Sequence, residues 1–150
     1  MSKRTGFTTI TPYLVCNGAS KAIDYYTEHL GAKELYRLEM DDGLIAHAEI
    51  EIGDGRILLS DEFEKLGILS PLSIGGSPIS LNIYVDNPDA VFASMLKDAG
   101  IELSPMEDQF HGDRSGKLQD RYGHIWHIAS NQQDLTSDEI VQKFKKAMGR

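Results

Sequence analysis

The chain has almost no cysteine. Cys16 is the only one in 150 residues. A single cysteine excludes an internal disulfide and is typical of a protein in the reducing cytoplasm, where we expect this one to act. Because Cys16 falls within a predicted strand, we interpret it as a small core residue rather than as a nucleophile.

Positive charge and long apolar runs are also scarce. Lys and Arg number 15 against 23 Asp and Glu, which gives a formal net charge of −8. Nucleic acids and acidic membranes are bound by faces rich in Lys and Arg, so the sequence predicts neither as a partner. No apolar run follows the charged start at residues 1–4, and we therefore expect no signal peptide and no membrane span.

What the sequence does contain is a pattern that occurs twice. Three landmarks of the first half have counterparts in the second, at offsets of 70, 69 and 68 residues. The pairs are Val15 with Val85, Gly31 with Gly100, and Gly55 with Gly123. This near-constant offset indicates a duplicated unit, too small to bury a core alone, and a cleft in such an arrangement is the natural place for a ligand.

Each half is predicted to run β-α-β-β-β, which makes the fold class α+β. The first unit covers about residues 8–62 and the second about 79–130, within one domain of residues 1–150. Helical spacing of apolar residues follows Asn17 and Ser20, either of which can cap a helix, and also follows Asn87. The predicted strands are 8–16, 33–40, 44–52 and 56–61, then 79–85, 102–110, 113–120 and 124–130.

Two segments lie outside the repeat. The run SPLSIGGSPIS is rich in Gly, Ser and Pro, and we interpret it as the connection between the halves, either a mobile rim of the cleft or a plain spacer. Near the end of the chain, Thr136 precedes Glu139 by three positions, which is typical of a capping box. A C-terminal helix over about residues 136–148 is therefore predicted, and it should pack on the body or on a partner subunit.

The repeated unit resembles a known superfamily. The tandem β-α-β-β-β order, with PYLVCNGASKAIDYYTEHLGAKELYRL opening the first copy and FHGDRSGKLQDRYGHIWHIAS closing the second, is similar to the vicinal-oxygen-chelate proteins. These include glyoxalases, bleomycin-resistance proteins and extradiol dioxygenases. The motifs IAHAEIEIGDGRILLSDE and DLTSDEI are most similar to the PhnB-like branch. The resemblance implies curved mixed sheets that form a bowl, a small-molecule ligand and a homodimer.

The resemblance also implies four metal ligands, drawn from the first and fourth strands of each unit. At those positions we expect Ile10 and Ser80 on the opening strands, and His127 with Leu59 on the fourth strands, or Leu58 if the register differs by one residue. Leucine cannot coordinate a metal, and a lone imidazole binds divalent ions weakly. No cofactor is therefore predicted, and His127 is the only candidate for a metal ligand.

Polar residues on the second opening strand mark the candidate binding site. Strand alternation, with Val15 aligned to Val85, places Ile10, Pro12 and Leu14 on the interior face of the first opening strand. It places Ser80, Asn82 and Tyr84 on the interior face of the second, and we expect Asn82 and Tyr84 to converge with His127 on one wall. That wall offers an amide, a phenol and a titratable imidazole. We therefore predict that His127 is catalytic and that Ser80, Asn82 and Tyr84 bind a ligand.

Two further candidates carry open alternatives. His47 shares a strand face with Glu49 and Glu51, and it is either a base that contacts the ligand or a hydrogen-bonded structural histidine. The two glutamates are as easily explained as solvated strand residues. Arg114, at a predicted turn or bulge, either presents its planar fork to a carboxylate or phosphate of the ligand, or pairs with Asp113 or Asp120.

Two functions remain open at this level. The first is a metal-dependent lyase, isomerase or dioxygenase that acts on a substrate with vicinal oxygens, against which the missing ligands count. The second is a metal-free protein that binds a small molecule in the cavity, against which an aromatic content of only 8% counts. The sequence favours the second and does not name the ligand.

Overall fold

The computed structural model of the chain describes residues 2–149, which fall into two compact units divided between Ser77 and Pro78. Each unit contains one four-stranded mixed sheet with a helix on one of its faces, as predicted from the repeat. Among the described residues no helix has both the length and the apolar character to cross a bilayer.

The first unit is built from β1 to β4 and α1. Its strands are β1 (Tyr13–Val15), β2 (Lys33–Glu39), β3 (Ile45–Ile52) and β4 (Gly55–Ser60), and its long helix is α1 (Ala19–Leu30). The sheet order is β1-β4-β3-β2, with β1 parallel to β4 and the other pairs antiparallel. A 3₁₀ turn (Glu64–Leu66) and the short helix α2 (Pro71–Ile74) follow, so the predicted Gly/Ser/Pro-rich connection contains one helical turn.

The second unit repeats this arrangement and adds a helix. Its strands are β5 (Ser80–Tyr84), β6 (Ile101–Asp108), β7 (Asp113–Gln119) and β8 (Ile125–Asn131), with α3 (Pro88–Lys97) and α4 (Ser137–Ala147). The sheet order is β5-β8-β7-β6, again with one parallel pair, β5 and β8. The predicted capping box at Thr136 and Glu139 is present at the start of α4.

The two long helices begin differently. Asn87 caps α3 as predicted, its Oδ1 accepting from the backbone N–H of Ala90 at 3.2 Å. For α1 the predicted caps Asn17 and Ser20 are wrong, because the residue before the helix is Gly18 in a left-handed conformation without a side-chain cap. The carboxylate of Asp61, at the end of β4, accepts from Gly18 N and Ala19 N at 3.0 and 2.8 Å instead.

The core of each unit lies between its sheet and its long helix. In the first unit the buried apolar residues include Leu14, Ile23, Ala48 and Leu59. In the second they include Phe92, Leu118, Trp126 and Ile128. The alternation of side chains along each strand leaves the opposite sheet face free for polar groups. The candidate functional residues other than Arg114 are found on that opposite face.

Candidate functional site

The two sheets can be compared position by position because their registers match. Tyr13 lies beside Leu58 in the β1–β4 pair, and Asn82 lies beside His127 in the β5–β8 pair. Each member of the first pair precedes its counterpart by 69 residues. Burial selects this offset, because Leu58 and His127 are both half-buried whereas Leu59 and Ile128 are both fully buried on the helix side; Leu58 is therefore the counterpart of His127.

This register corrects the predicted interior of the first strand. We expected Ile10, Pro12 and Leu14 to face the interior, but Leu14 packs on the helix side and Tyr13 shares the free face with Leu58. Ile10 precedes β1 and is 83% exposed. The error came from aligning Val15 with Val85, which is one residue out of step with the strand pairing, and one residue reverses every side chain of a strand.

In the second unit the structure brings three of the predicted site residues together. Ser80 and Asn82 lie on the free face of β5, and His127 is the β8 neighbour of Asn82. The Ser80 Oγ lies 3.2 Å from Nε2 of His127. The imidazole thus already has one hydroxyl partner, and a ligand on this face would meet both groups at once.

A cavity of about 250 Å³ opens beside His127. It is lined by Ser104, Glu107, Gln109, His111, Ser115, Gly116, Lys117 and His127. Lys117 is the β7 neighbour of His127, so one cationic and one titratable side chain share a wall. Apart from His127, none of these residues was identified from the sequence as a site residue. Which side chains of β6 and β7 line the cavity depends on how the strands pair, and the sequence does not show that pairing.

The electrostatics of the cavity keep His127 uncharged near neutral pH. Partial burial lowers its pKa below the usual 6.5, and the positive charge of Lys117 lowers it further. Both effects penalise the imidazolium form. The neutral ring keeps one lone pair on a nitrogen, so it can accept a proton or a hydrogen bond from a ligand.

Tyr84 lies on the same face but its hydroxyl already has a partner. Its Oη donates to Oδ2 of buried Asp113 at 2.9 Å, and this hydrogen bond is the main reason why the pKa of Tyr84 is raised. Asn131 Nδ2 donates to the other carboxylate oxygen at 2.8 Å. His111 Nδ1 lies 3.7 Å from Oδ2. Tyr84 therefore belongs to a network centred on Asp113, beside the pair of His127 and Ser80.

The structure does not bring Arg114 to this face. It lies within β7 rather than at a turn, and its parity places it on the helix side. Its Nε and NH2 groups donate to the two oxygens of Asp89 at 2.9 and 2.7 Å, and NH1 donates to Asp108 at 3.2 Å. These bonds raise the pKa of Arg114. The structural alternative is therefore the observed one, although its partners are not the predicted Asp113 or Asp120.

The remaining predicted residue, His47, lies in the first unit. Tyr13 Oη is 2.7 Å from Nδ1 of His47, and Nε2 on the other side of the ring is 3.6 Å from Oε1 of Glu49. The rings of Tyr13 and Tyr36 lie 5.5 and 5.9 Å from the imidazole, centroid to centroid. His47 therefore stands between a phenol and a carboxylate, within a small aromatic cluster.

Glu49 is buried rather than solvated. It is 1% exposed, and its carboxylate accepts two hydrogen bonds from Arg4, at 2.6 and 3.1 Å, and one from Tyr36 Oη at 3.0 Å. Burial alone would raise the pKa of Glu49, but the bonds from Arg4 and Tyr36 outweigh it and the pKa is lowered. The alternation of His47 and Glu49 with apolar residues was a usable signal, whereas the contact with Arg4, 45 residues earlier, left no trace in the sequence.

Comparisons with known proteins agree with this architecture. A family model described as the Glyoxalase/Bleomycin resistance protein/Dioxygenase superfamily matches residues 7–128. An uncharacterized protein of Mycobacterium bovis is 32% identical over 134 residues, which cover 87% of this chain and 88% of that protein.

Solved structures are similar in fold. A Pseudomonas aeruginosa protein has a TM-score of 0.69 at 24% identity, covering 84% of this chain and 99% of that one. A PhnB protein from Bacillus cereus has a TM-score of 0.61 at 20% identity, covering 80% of this chain and 97% of that one. At these identities the likeness concerns the fold and carries no residue roles.

Proposed function

The chain belongs to the Glyoxalase/Bleomycin resistance protein/Dioxygenase superfamily, and on that premise we propose that its second unit binds a small molecule in the cavity beside His127. The observation that carries the proposal is the cavity wall that His127 and Lys117 share, with Ser80 Oγ 3.2 Å from Nε2 of the imidazole. Small-molecule sites are concave and carry a few convergent polar groups, and titratable groups with shifted pKa values cluster at them.

The groups on that wall favour a carboxylate with a neighbouring oxygen atom. Lys117 supplies a positive charge for the carboxylate, and the neutral imidazole of His127 can accept from or donate to an adjacent hydroxyl. Ser80 and Asn82 add short polar side chains on the adjacent strand. Arg114 remains outside the proposed site because its guanidinium is held by Asp89 on the other face.

The residues at the superfamily's metal positions do not fit a divalent ion. In the first unit, Leu58 offers no donor atom. In the second, Ser80 and His127 offer one hydroxyl and one imidazole, whereas protein metal sites normally use three or more donors of His, Asp, Glu or Cys type. Binding without a metal is therefore part of the proposal, and no step of it is assigned to an ion.

Glycolate and acetate form a matched pair of probes, since they differ only in the adjacent hydroxyl. We expect glycolate, titrated into ¹⁵N-labelled protein, to shift the resonances of His127 and Lys117 more than acetate does. His127→Leu places the first unit's residue at this position and should weaken glycolate binding about tenfold, which corresponds to the loss of roughly one hydrogen bond. Arg114→Gln should leave the affinity unchanged. Equal binding of the two probes, or unchanged glycolate affinity in His127→Leu, would refute the proposal.

The proposal extends to a cytoplasmic homodimer. Pairing of two chains is the arrangement that the resemblance to the superfamily implies, and a single cysteine suits a reducing compartment. Light scattering at micromolar concentration should give twice the mass of 16.7 kDa. A mass of one chain would contradict the dimer and leave the binding site as proposed.

A further inference from the structure

The first unit contains a second group of chemically active side chains, independent of the proposed site at His127. It consists of Tyr13, Tyr36, His47, Glu49 and Arg4, all on one sheet face or contacting it. These residues form a continuous series of polar contacts that runs from buried Glu49 to half-exposed Tyr13.

The negative charge of Glu49 determines which group donates and which accepts in each of these contacts. Glu49 is anionic because Arg4 and Tyr36 donate to it, and its Oε1 lies 3.6 Å from Nε2 of His47. A carboxylate at that distance is too far for a hydrogen bond but favours a proton on the facing nitrogen. With the proton on Nε2, Nδ1 has a free lone pair and accepts from Tyr13 Oη at 2.7 Å.

The arrangement therefore resembles a carboxylate–imidazole–hydroxyl triad in which the hydroxyl is a phenol. Tyr13 uses its own proton in the bond to His47 and also has a hydrogen-bond contact with Ser60, so one lone pair of Oη remains to accept a proton from a bound molecule. Tyr13 is 49% exposed and its contact with His47 lies at the surface, which leaves the side chain open to a ligand. The rings of Tyr13, Tyr36 and His47 provide flat apolar surface beside it.

We propose that Tyr13, His47 and Glu49 form a proton relay that binds a small phenol or enol and removes its hydroxyl proton. The ligand O–H bond breaks, its proton moves to Tyr13 Oη, and the proton of Tyr13 moves to Nδ1 of His47. The electron pair stays on the ligand oxygen, which becomes an oxyanion, while His47 becomes an imidazolium facing Glu49. Tyr13 contacts the ligand, His47 receives the proton, and Glu49 is a positioning residue.

The ligand class follows from matching acidities. An imidazole takes a proton efficiently from a group whose pKa is near its own, and phenols and enols come closer to it than aliphatic alcohols do. A planar ligand also suits the aromatic surface. The relay needs no metal or other co-reactant, because only a proton changes place.

A direct test uses 4-nitrophenol, whose ionised form is coloured, so that its protonation can be measured while it is bound. Wild-type protein in excess should increase the ratio of ionised to neutral probe about tenfold, which is a shift of about one pKa unit. Tyr13→Phe and His47→Gln should each abolish the shift. Tyr122→Phe removes a buried phenol of the second unit and should keep it. No shift with wild-type protein at millimolar concentration, or a full shift in Tyr13→Phe, would overturn the proposal.

The direction of the relay has its own readout, which would not respond if Glu49 only stabilised the fold. In ¹⁵N spectra the ring nitrogens of His47 should show protonated Nε2 and bare Nδ1 in the neutral form. Glu49→Gln should shift the population toward the other tautomer and reduce the ionisation of 4-nitrophenol, without removing Tyr13. A protonated Nδ1 in wild-type protein would overturn the proposal, because His47 would then donate to Tyr13.

Discussion

The two units have the same backbone plan but differ in charge at matched positions of their free sheet faces. Where the first unit has Glu49 beside Leu58, the second has Lys117 beside His127. The strand pairings also match Tyr13 with Asn82 and Tyr36 with Ser104. His47 in the first unit lies near the carboxylate of Glu49, whereas His127 in the second unit lies near the ammonium group of Lys117.

This difference shows which positions the architecture constrains. On the helix side the matched residues stay small or apolar, as with Leu59 and Ile128, or Ala48 and Gly116. The core requires that, because each sheet must bury one face against its helix. The free face has no such requirement, so its charge can reverse without loss of the fold. Function in this chain should therefore be sought in what the units do not share.

The largest contrast should come from the helix starts. Asp61→Ala removes a buried carboxylate that accepts from Gly18 N, Ala19 N and Ile45 N, and leaves three donors without it. We expect a loss of about 3 kcal/mol in unfolding free energy. Asn87→Ala removes one exposed cap bond and should cost about 1 kcal/mol. Urea denaturation measures both, and a cost for Asn87→Ala equal to that of Asp61→Ala would break the contrast.

A smaller loss of stability should follow when Gly116, on the helix side of the second sheet, is replaced by alanine, the residue at the matching position of the first sheet. Gly116→Ala gives the second unit the residue of the first, but the new Cβ would lie 2.8 Å from Cε2 of Phe92. We expect a loss of about 2 kcal/mol from overpacking. Gly55→Ala, whose Cβ would meet only ordinary contacts, is the matched control and should stay within about 0.5 kcal/mol. Addition of Phe92→Leu should restore part of the loss, and no recovery would contradict the assigned clash.

Neutralising the buried carboxylate of the first unit should cost less. Glu49→Gln weakens the bonds from Arg4 and Tyr36 and should lower the unfolding free energy by about 1 kcal/mol, since Arg4 is 64% exposed and can be solvated. The folded pKa of Glu49 is below its usual 4.5, so its contribution is present above about pH 4.5 and is lost as the pH falls through the lower value.

Acid denaturation would show this contribution. Wild-type protein should lose stability below about pH 4.5 more steeply than Glu49→Gln. Glu51 lies on the same strand face and makes a 3.5 Å contact with Arg56. The variant Glu51→Gln is the control, and its loss of stability with falling pH should match that of wild-type protein. If both variants flatten the profile equally, the buried network has no special part in it.

The smallest effect concerns the second imidazole. His127 should titrate below 6.5 by NMR, and Lys117→Gln should raise its pKa while burial keeps it below 6.5. Because the folded pKa is lowered, the stability from neutral His127 is present above about pH 6.5 and is lost as the pH falls toward the folded value. The control Lys146→Gln, on α4, should leave the titration of His127 unchanged. If Lys117→Gln also left it unchanged, burial alone would set the pKa of His127 and the assigned effect of Lys117 would be wrong.

The sequence predicted the repeated β-α-β-β-β order and all eight strands, because alternation, glycine turns and the offset agreed with one another. The first strand was overestimated, at 8–16 rather than Tyr13–Val15, since β-branched residues continue before the pairing begins. Asn87 and Thr136 were correct caps because their partners lie three residues away. Asp61 could not be found in this way, because its partners lie 16 to 43 residues away.

The candidate sites were predictable only within a strand or between parallel neighbours. Placement of Ser80, Asn82 and His127 on one face needed only strand parity and the repeat. The placement of Lys117 depends on the β7–β8 register, and that of Arg4 on a contact across 45 residues. Arg114 was misplaced because GDRSG suggested a turn, whereas the strand begins at Asp113 and directs the arginine to Asp89 on α3.

The ion pair of Arg4 with Glu49 matters for the choice of the N-terminal boundary when a truncated form of this protein is expressed. The match to the superfamily begins at residue 7, so a fragment trimmed to that boundary would lack Arg4. Among the described residues, the Glu49 carboxylate would then keep the 3.0 Å bond from Tyr36 and lose the two bonds from Arg4. Arg4, ahead of the family boundary, is thus part of the first unit's hydrogen-bond network.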